Sequence, residues 1–281
     1  MHFSTMISVL QDFWIKHGCT LISSFDSEVG AGTYHPATIF LDRSRDYNIV
    51  YTQPSTRPKD ARAGKSPNRL YQHLQLQILM KPIPLNPHQL VLESFELIGI
   101  NATKNNIQFL ANNWSSPTIG ANGVGWEIRC DGQEVLQYTY FQQLGGETLT
   151  DPVLELTYGM ERLAMVAQNK DSLYDLTWSD TATYKDIRLR AEEDYSYAIQ
   201  HMDLDTLSQQ YELYKKMYQR YLAANLYLVA YGECLKMSHA FNLMDAVGLF
   251  YTARANYIQE IRHCVGNCLK LFNQLYPSHN I

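Results

Sequence analysis

The chain has 281 residues, 46% hydrophobic and 18% charged, with a formal net charge of -5. That length holds one large domain or two modest ones, with apolar surface enough for a core that needs no disulfide or metal staple. No stretch approaches the roughly 18 uninterrupted apolar residues of a membrane span, and an acidic chain with no long basic run is ill suited to grip nucleic acid by charge alone. Asp12, Lys16 and His17 interrupt the N-terminal segment, which lacks the basic region and long apolar run of a signal peptide. A cytoplasmic location is expected. Cys19, Cys130, Cys234, Cys264 and Cys268 form no CxxC pair, so reduced thiols and no metal site are expected.

In chain order, residues 3–17 predict an amphipathic helix, with Met6, Val9, Leu10, Phe13 and Trp14 on one side and Gly18 as its C-terminal cap. Cys19 to Phe25 reads as extended, and Asn48 to Gln53 as a strand ended by Pro54. Leu70 to Met80 alternates polar and apolar residues, which predicts a strand with one polar face. Asn86 to Ile98 has helical spacing. Ile107–Leu110, Gly125–Cys130 and Glu134–Gln142 are further strands, the last two joined by an Asp131-Gly132 turn. Leu154–Tyr158 is another strand, after which Gly159 leads into a helix from Met160 to about Gln168. From about Arg188 to Tyr276 there is little glycine and no proline. Leu204, Leu207, Tyr211, Tyr214, Tyr218, Tyr221 and Leu222 recur at helical spacing, as do Tyr257, Ile261, Cys264, Val265, Cys268 and Leu271, and predict a C-terminal helical bundle. Strands first and helices afterwards indicate an α+β fold, divided here into residues 1–180 and a helical domain, 181–281.

Four groups of residues have chemical potential. In Glu28 to Thr38, Gly30 and Gly32 permit close backbone approach to a ligand and Thr33 and His35 add polar contacts, although a plain glycine-rich turn accounts for the same residues. Arg43, Arg45, Arg57, Lys59, Arg62, Lys65 and Arg69 form a local basic stretch. Arg57 ends a strand while Arg62 and Arg69 sit in the loop, a placement suited to phosphate oxygens or simply to solvent. Arg162 falls in the first turn of the helix after Gly159, where an anion would meet both a guanidinium and free N–H groups; pairing with a nearby acid is the simpler role. Gln75, Gln77, Glu127, Gln142 and Glu155 occupy sheet positions. Facing inward they need partners, and two acids among amides suit an ammonium group; facing outward they need none.

Taken in order, EVGAGTYHPAT, QPSTRP, SPNRL, QLQ, WSSPTIGA (114–121), GWE, YFQQLGG (140–146), TYGMERLAM, LYDLTW and KMSHAFNLMDA (236–246) resemble the α subunit of the bacterial heterotetrameric glycyl-tRNA synthetase, a class II aminoacyl-tRNA synthetase. The resemblance runs over nearly the whole chain. It implies a six-stranded antiparallel sheet flanked by helices and followed by a helical domain. It also implies an α homodimer joined by a large β subunit, in an α2β2 assembly whose tRNA(Gly) is held mainly by β.

The resemblance further implies an ATP-dependent glycine--tRNA ligase in which the glycine carboxylate attacks the α-phosphate of ATP and Mg²⁺-pyrophosphate leaves. Arg57 matches the arginine of the family's second motif, which contacts the α-phosphate and the reacting carboxylate. Arg162 matches the third-motif arginine, which steers the γ-phosphate. Arg62 and Arg69 match loop positions near the ATP phosphates. Thr33, Gln75, Gln77, Trp114, Glu127, Gln142 and Glu155 match positions lining or supporting a glycine pocket, with Glu127 and Glu155 expected to hold the ammonium and Trp114 to supply bulk. The chain departs from the family pattern at Leu41–Tyr47, at Lys65 and at His73-Leu74, around the ATP loop. A second expectation therefore stands beside the first: a diverged relative with altered activation chemistry that serves as a binding or regulatory protein.

Overall fold

A computed structural model describes residues 1–41, 45–249 and 251–277; Arg43 of the basic stretch, with part of the Leu41–Tyr47 segment, lies outside the described residues. The elements are α1 (Phe3–Lys16), β1 (Thr20–Leu21), α2 (Pro36–Ile39), β2 (Tyr47–Thr56), β3 (Gln72–Lys81), α3 (Pro87–Leu97), β4 (Ile107–Ser116), β5 (Ala121–Cys130), β6 (Gln133–Leu144), β7 (Glu147–Gly159), α4 (Met160–Gln168), α5 (Tyr184–Ile199), α6 (Leu204–Ala223), α7 (Tyr227–Val247) and α8 (Tyr251–Leu275). Short 3-10 turns cover Gly32–Tyr34 and Pro58–Asp60.

Among the described residues, seven strands form one sheet in the order β1-β2-β3-β7-β6-β5-β4. Strands β2 to β7 pair antiparallel, as expected for six strands. The seventh, β1, corrects that expectation: it is only two residues long, Thr20 and Leu21, and runs parallel to β2. The sheet is therefore mixed.

Alternation decides which face each strand buries. Leu76, Ile78 and Met80 of β3 join Tyr138, Leu154, Leu156 and Tyr158 in a core closed by Met6, Leu10 and Trp14 of α1, Val91 and Phe95 of α3 and Leu163 of α4. Each fully buried side chain of this size contributes roughly 1.5–3 kcal/mol. The opposite face carries Gln75 and Gln77, and one period further Leu79. There Leu79, Tyr51, Phe141 and Val153 pack beneath Tyr231, Cys234, Ile261, Val265 and Cys268 of the C-terminal helices. One face of the sheet thus carries an extended apolar core, with Asn48, Thr52 and Asn113 among the few polar residues on it. The other is polar in one zone and covered by helices in the next. All five cysteines are buried and unbridged.

Pro54 does not end its strand, as sequence reasoning expected. β2 continues to Thr56, with Pro54 opposite Leu74. The Ile22 N–H donates to Val50 O (3.0 Å) and the Thr56 N–H donates to Val29 O (2.7 Å). Even-numbered residues of β2 therefore turn their backbone groups away from β3. The donor that proline lacks falls on the side where β1 has already ended, so no ladder bond is lost. Asp131 (φ 53) and Gly132 (φ 84) do form the left-handed turn between β5 and β6.

Candidate active site

The polar zone of the sheet is the floor of a cleft. Register pairing puts Tyr51, Gln77, Thr157, Gln137 and Glu127 in one row across five strands. The neighbouring row runs Leu79, Glu155, Thr139, Gly125. The cleft is lined by Ala31, Thr33, Arg57, Asp60, Arg69, His73, Gln75, Trp114, Glu134, Gln137, Thr157, Gly159, Glu161 and Arg162, among others.

Glu155 lies immediately behind Thr33 and Thr157. The Thr33 hydroxyl donates to Glu155 Oε2 at 2.8 Å and that of Thr157 at 3.4 Å. The side chain is 1% exposed, and its Oε1 has no hydrogen-bond partner among the described residues. Desolvation pushes the Glu155 carboxyl up to about 8, against the lowering effect of the two hydroxyls. Two further buried polar atoms, Gln77 Nε2 and Thr139 Oγ1, are also unpaired. Thr139 is directly opposite Glu155 in the register, and Gln77 opposite Thr157. Buried polar groups ordinarily find partners, so this cluster has spare capacity for a small polar ligand.

The glycine-rich turn is fastened to the floor. The Gly32 N–H donates to Gln75 Oε1 at 2.7 Å, the Ser55 hydroxyl donates to the same oxygen at 3.0 Å, and the Tyr51 hydroxyl donates to Gly32 O at 3.0 Å. A Cβ on Gly32 would stand 2.5 Å from Gln77 Cγ and closer still to its amide nitrogen. Glycine is required at position 32 because protein backbone approaches a protein side chain, which is a different reason from the ligand approach anticipated in the sequence. His35 likewise serves the fold: its Nδ1 accepts from the Ala37 N–H at 3.0 Å at the start of α2.

At the mouth of the cleft the charges are mostly cationic. Arg57 follows β2, its Nε 3.3 Å from Gly30 O. Arg162 in the first turn of α4 meets Glu134 at 3.3 Å, and Arg69 meets Asp60 at 3.5 Å. Desolvation, with Arg162 adding to it, holds the Arg57 guanidinium below its ordinary value, while Asp60 and Glu134 act the other way. Desolvation, Arg57 and Arg162 together hold His73 well below the usual imidazole range, so it is neutral. Two mutually repelling guanidiniums at a helix N-terminus form a site that an anion relieves. Glu161, next to Arg162, turns inward. Its Oε1 accepts from the Leu74 N–H (2.8 Å) and from the Tyr184 hydroxyl (2.9 Å). Burial pushes this carboxyl up to about 7.

Of the eleven residue positions singled out in the sequence, the structure gathers Thr33, Arg57, Arg69, Gln75, Gln77, Trp114, Glu155 and Arg162 at or directly behind the cleft wall. Three lie elsewhere. The Arg62 guanidinium folds back on its own loop, donating to Lys59 O and Ala61 O at 2.7 Å each. Glu127 is on the cleft face but farther toward the sheet edge, bound to Arg129 at 2.5 Å and to Asn112 at 3.3 Å. Gln142 sits where the register between β6 and β7 shifts; that irregularity turns it outward, exposed. Sequence reasoning passed over Gln137, Thr139 and Thr157, although the period of two from Gln137 and Glu155 points to all three. Glu134 and Glu161 had no comparable linear signal.

Residues 3–276 match the family model described as "Glycyl-tRNA synthetase alpha subunit". The chain belongs to the glycyl-tRNA synthetase alpha subunit family. It is 43% identical over 277 residues to the "Glycine--tRNA ligase alpha subunit" of Petrotoga mobilis, covering 97% of this chain and 96% of that one. It is 44% identical over 265 residues to the protein of the same name from Coprothermobacter proteolyticus, covering 93% and 91%. A pyrrolysyl-tRNA synthetase from Desulfitobacterium hafniense superposes with a TM-score of 0.43 at 15% identity, over 64% of this chain and 75% of that one. Both of these relatives of this glycyl-tRNA synthetase alpha subunit family member carry the ligase name, which favours an enzyme over a regulatory relative.

Proposed function

We propose that the chain activates glycine with ATP, forming glycyl-adenylate and releasing pyrophosphate, and charges tRNA(Gly) together with a β subunit. The observation that carries this reading is the polarity of one cleft: guanidiniums at the mouth and a buried, half-unpaired carboxylate behind the floor. A glycine zwitterion fits that gradient, with its ammonium at Glu155 and its carboxylate toward Arg57. Thr33, Gln75, Gln77 and Trp114 complete the walls; Gln75 acts by holding the Gly32 turn. Arg57, Arg69 and Arg162 receive the polyphosphate, and neutral His73 adds no competing charge.

No side chain acts as nucleophile. The glycine carboxylate oxygen attacks the α-phosphorus, pyrophosphate departs, and the protein contributes alignment and cationic stabilisation of the crowded phosphorus centre. Mg²⁺ enters with its substrate. Glu134 is engaged with Arg162 and Glu161 with the backbone; of the two, Glu134 at the cleft mouth is the carboxylate that would help to hold the ion, whose charge would neutralise the leaving pyrophosphate. The smallest amino acid is selected by leaving no room for a methyl, with Trp114, packed edge-on to Phe141 at 5.7 Å, as the wall.

We further place the chain in an α2β2 assembly in the cytoplasm, with β holding most of the tRNA, in keeping with the acidic balance of this chain. The test is glycine-dependent exchange of pyrophosphate into ATP by the purified chain, with and without a β subunit. Exchange that disappears in Arg57→Ala supports the reading. No glycine-dependent exchange under either condition overturns it.

A further inference from the structure

One face of α5 is given over to the loop that joins the Pro58–Asp60 turn to β3. The Glu192 carboxylate accepts from the Tyr71 N–H at 2.8 Å and lies 3.4 Å from the Arg62 N–H. The Ser196 hydroxyl accepts from the Ala63 N–H at 3.0 Å and donates to Glu192 at 3.3 Å. Tyr195 stacks on Tyr71 with ring centroids 4.8 Å apart and planes 7° from parallel. Arg188 donates to the Gln72 side chain at 2.7 Å. Leu189 lies so close over Gly64 that a Cβ there would meet it at 2.5 Å. These five residues are spaced at i, i+1, i+4, i+7 and i+8, one side of a helix.

The loop needs such a support. Ala63 (φ 48) and Gly64 (φ 74) are both left-handed, a conformation that a non-glycine residue holds only when its surroundings impose it. Tyr71 is the central link. Its N–H is held by Glu192, and its carbonyl accepts from the Arg57 N–H at 2.6 Å. A short chain of bonds therefore runs from α5 through one backbone unit to the arginine at the cleft mouth. The same limb carries Asn68, Arg69 and Leu70 onto the cleft wall. Glu192 is 4% exposed, and a buried carboxylate is costly unless its bonds repay it.

We propose that Glu192, assisted by Ser196, is a positioning residue for the activation reaction: it holds both ends of the 62–71 loop so that Arg57 and Arg69 face the nucleotide. The inference rests on the ATP site proposed above. It makes α5 part of the activation machinery although its residues never touch substrate.

The test uses the full chain with Glu192→Ala, Glu192→Gln and Ser196→Ala. The first readout is backbone amide exchange over residues 61–72, with exchange elsewhere and thermal melting as controls for folding. Faster exchange confined to that segment in Glu192→Ala and Ser196→Ala is expected. Unchanged exchange there overturns the proposal. The second readout is pyrophosphate exchange. The KM for ATP is expected to rise about tenfold in Glu192→Ala while the KM for glycine changes less than about threefold, with Glu192→Gln between, since it keeps one acceptor oxygen. Equal changes in both KM values, or a loss of folded protein with KM unchanged, also overturn it. A wild-type chain without exchange activity defeats the ATP-site reading and with it this inference, whereas a loop released in an enzyme with unchanged KM for ATP defeats this inference alone. If Glu192→Ala does not fold, Glu192→Gln and Ser196→Ala carry the same two readouts.

Discussion

Glu155 makes the proposed glycine site titratable near neutrality. With its carboxyl at about 8 in the empty cleft, roughly one molecule in ten is ionised at pH 7 and about three in four at pH 8.5. An ammonium ligand binds the ionised form, and apparent affinity scales with the competent fraction. The KM for glycine at saturating ATP should therefore fall about eightfold between pH 7 and pH 8.5. Binding at pH 7 should release close to one proton, readable by calorimetry in two buffers of different ionisation enthalpy. Glu155→Gln keeps an oxygen for the Thr33 hydroxyl but has no charge to offer. Its glycine KM should rise at least about thirtyfold at pH 8.5, lose this pH dependence, and leave the KM for ATP within about twofold. Glu161, at about 7, titrates nearby, but any profile it imposes must survive in Glu155→Gln.

The same shift predicts stability. The folded Glu155 keeps its proton up to about 8 whereas the unfolded chain releases it near 4.5. The folded state thus binds more protons throughout that window. The contribution of Glu155 to stability is greatest below 4.5 and declines as pH rises toward 8, by an amount on the order of several kcal/mol if no ligand compensates. Thermal melts of the ligand-free wild type should fall between pH 6 and pH 8.5 more steeply than those of Glu155→Gln, and glycine should restore part of the loss. A glycine KM that is flat across pH 7 to 8.5, or an unchanged profile in Glu155→Gln, would refute the assignment of the ammonium to this carboxylate.

Three other perturbations bear on the same cleft. Gly32→Ala places a methyl 2.5 Å from Gln77 Cγ and should raise the glycine KM by at least about tenfold while costing about 1–3 kcal/mol in chemical denaturation, because an overpacked neighbour must move. Arg57→Ala should lower the exchange rate by about 10²–10³, and Arg162→Ala should act chiefly on the KM for ATP, leaving Glu134 without its cation; steady-state exchange separates the two. Trp114→Ala opens the wall of the glycine pocket, and the preference for glycine over alanine in exchange should drop by roughly tenfold, within the range that one methyl-sized change supplies.

Periodicity made most of the sheet readable, and the exceptions have local causes. Leu76, Ile78 and Met80 alternate with Gln75 and Gln77, so β3 declared both its faces. β4 and β7 run well beyond their predicted cores. The β4 extension, through Asn112, Asn113 and Ser115, has low strand propensity and is held by pairing with β5; the β7 extension is anchored where Glu147 and Thr148 pair with Leu144 and Gln143, beyond the register shift near Gln143. α5 begins four residues earlier than its pattern suggested because Thr183 and Asp186 form a reciprocal capping box. Pro54 misled because a proline costs a ladder bond only if a neighbour stands on its donor side, and the brevity of β1 cannot be read from β2.

The site was legible in its chemistry and much less so in its division of labour. Arg57 and Arg162 could be singled out because a strand end and a helix start place a guanidinium wherever they occur. A list of polar sheet residues cannot tell a ligand-facing group from a brace. Gln75 and Glu155 looked alike in sequence, yet Gln75 spends its oxygen on Gly32 and Ser55 while Glu155 keeps one oxygen unpaired in a dry site. Only the partner inventory separates them. The α5 face is the extreme case. Arg188, Glu192 and Ser196 carry no signal in the sequence, since nothing linear ties them to Gln72, Arg62, Ala63 and Tyr71 more than a hundred residues earlier. What marks Glu192 is a physical improbability, a buried acid bonded to backbone N–H groups of a strained loop, and that becomes visible only once the chain is folded.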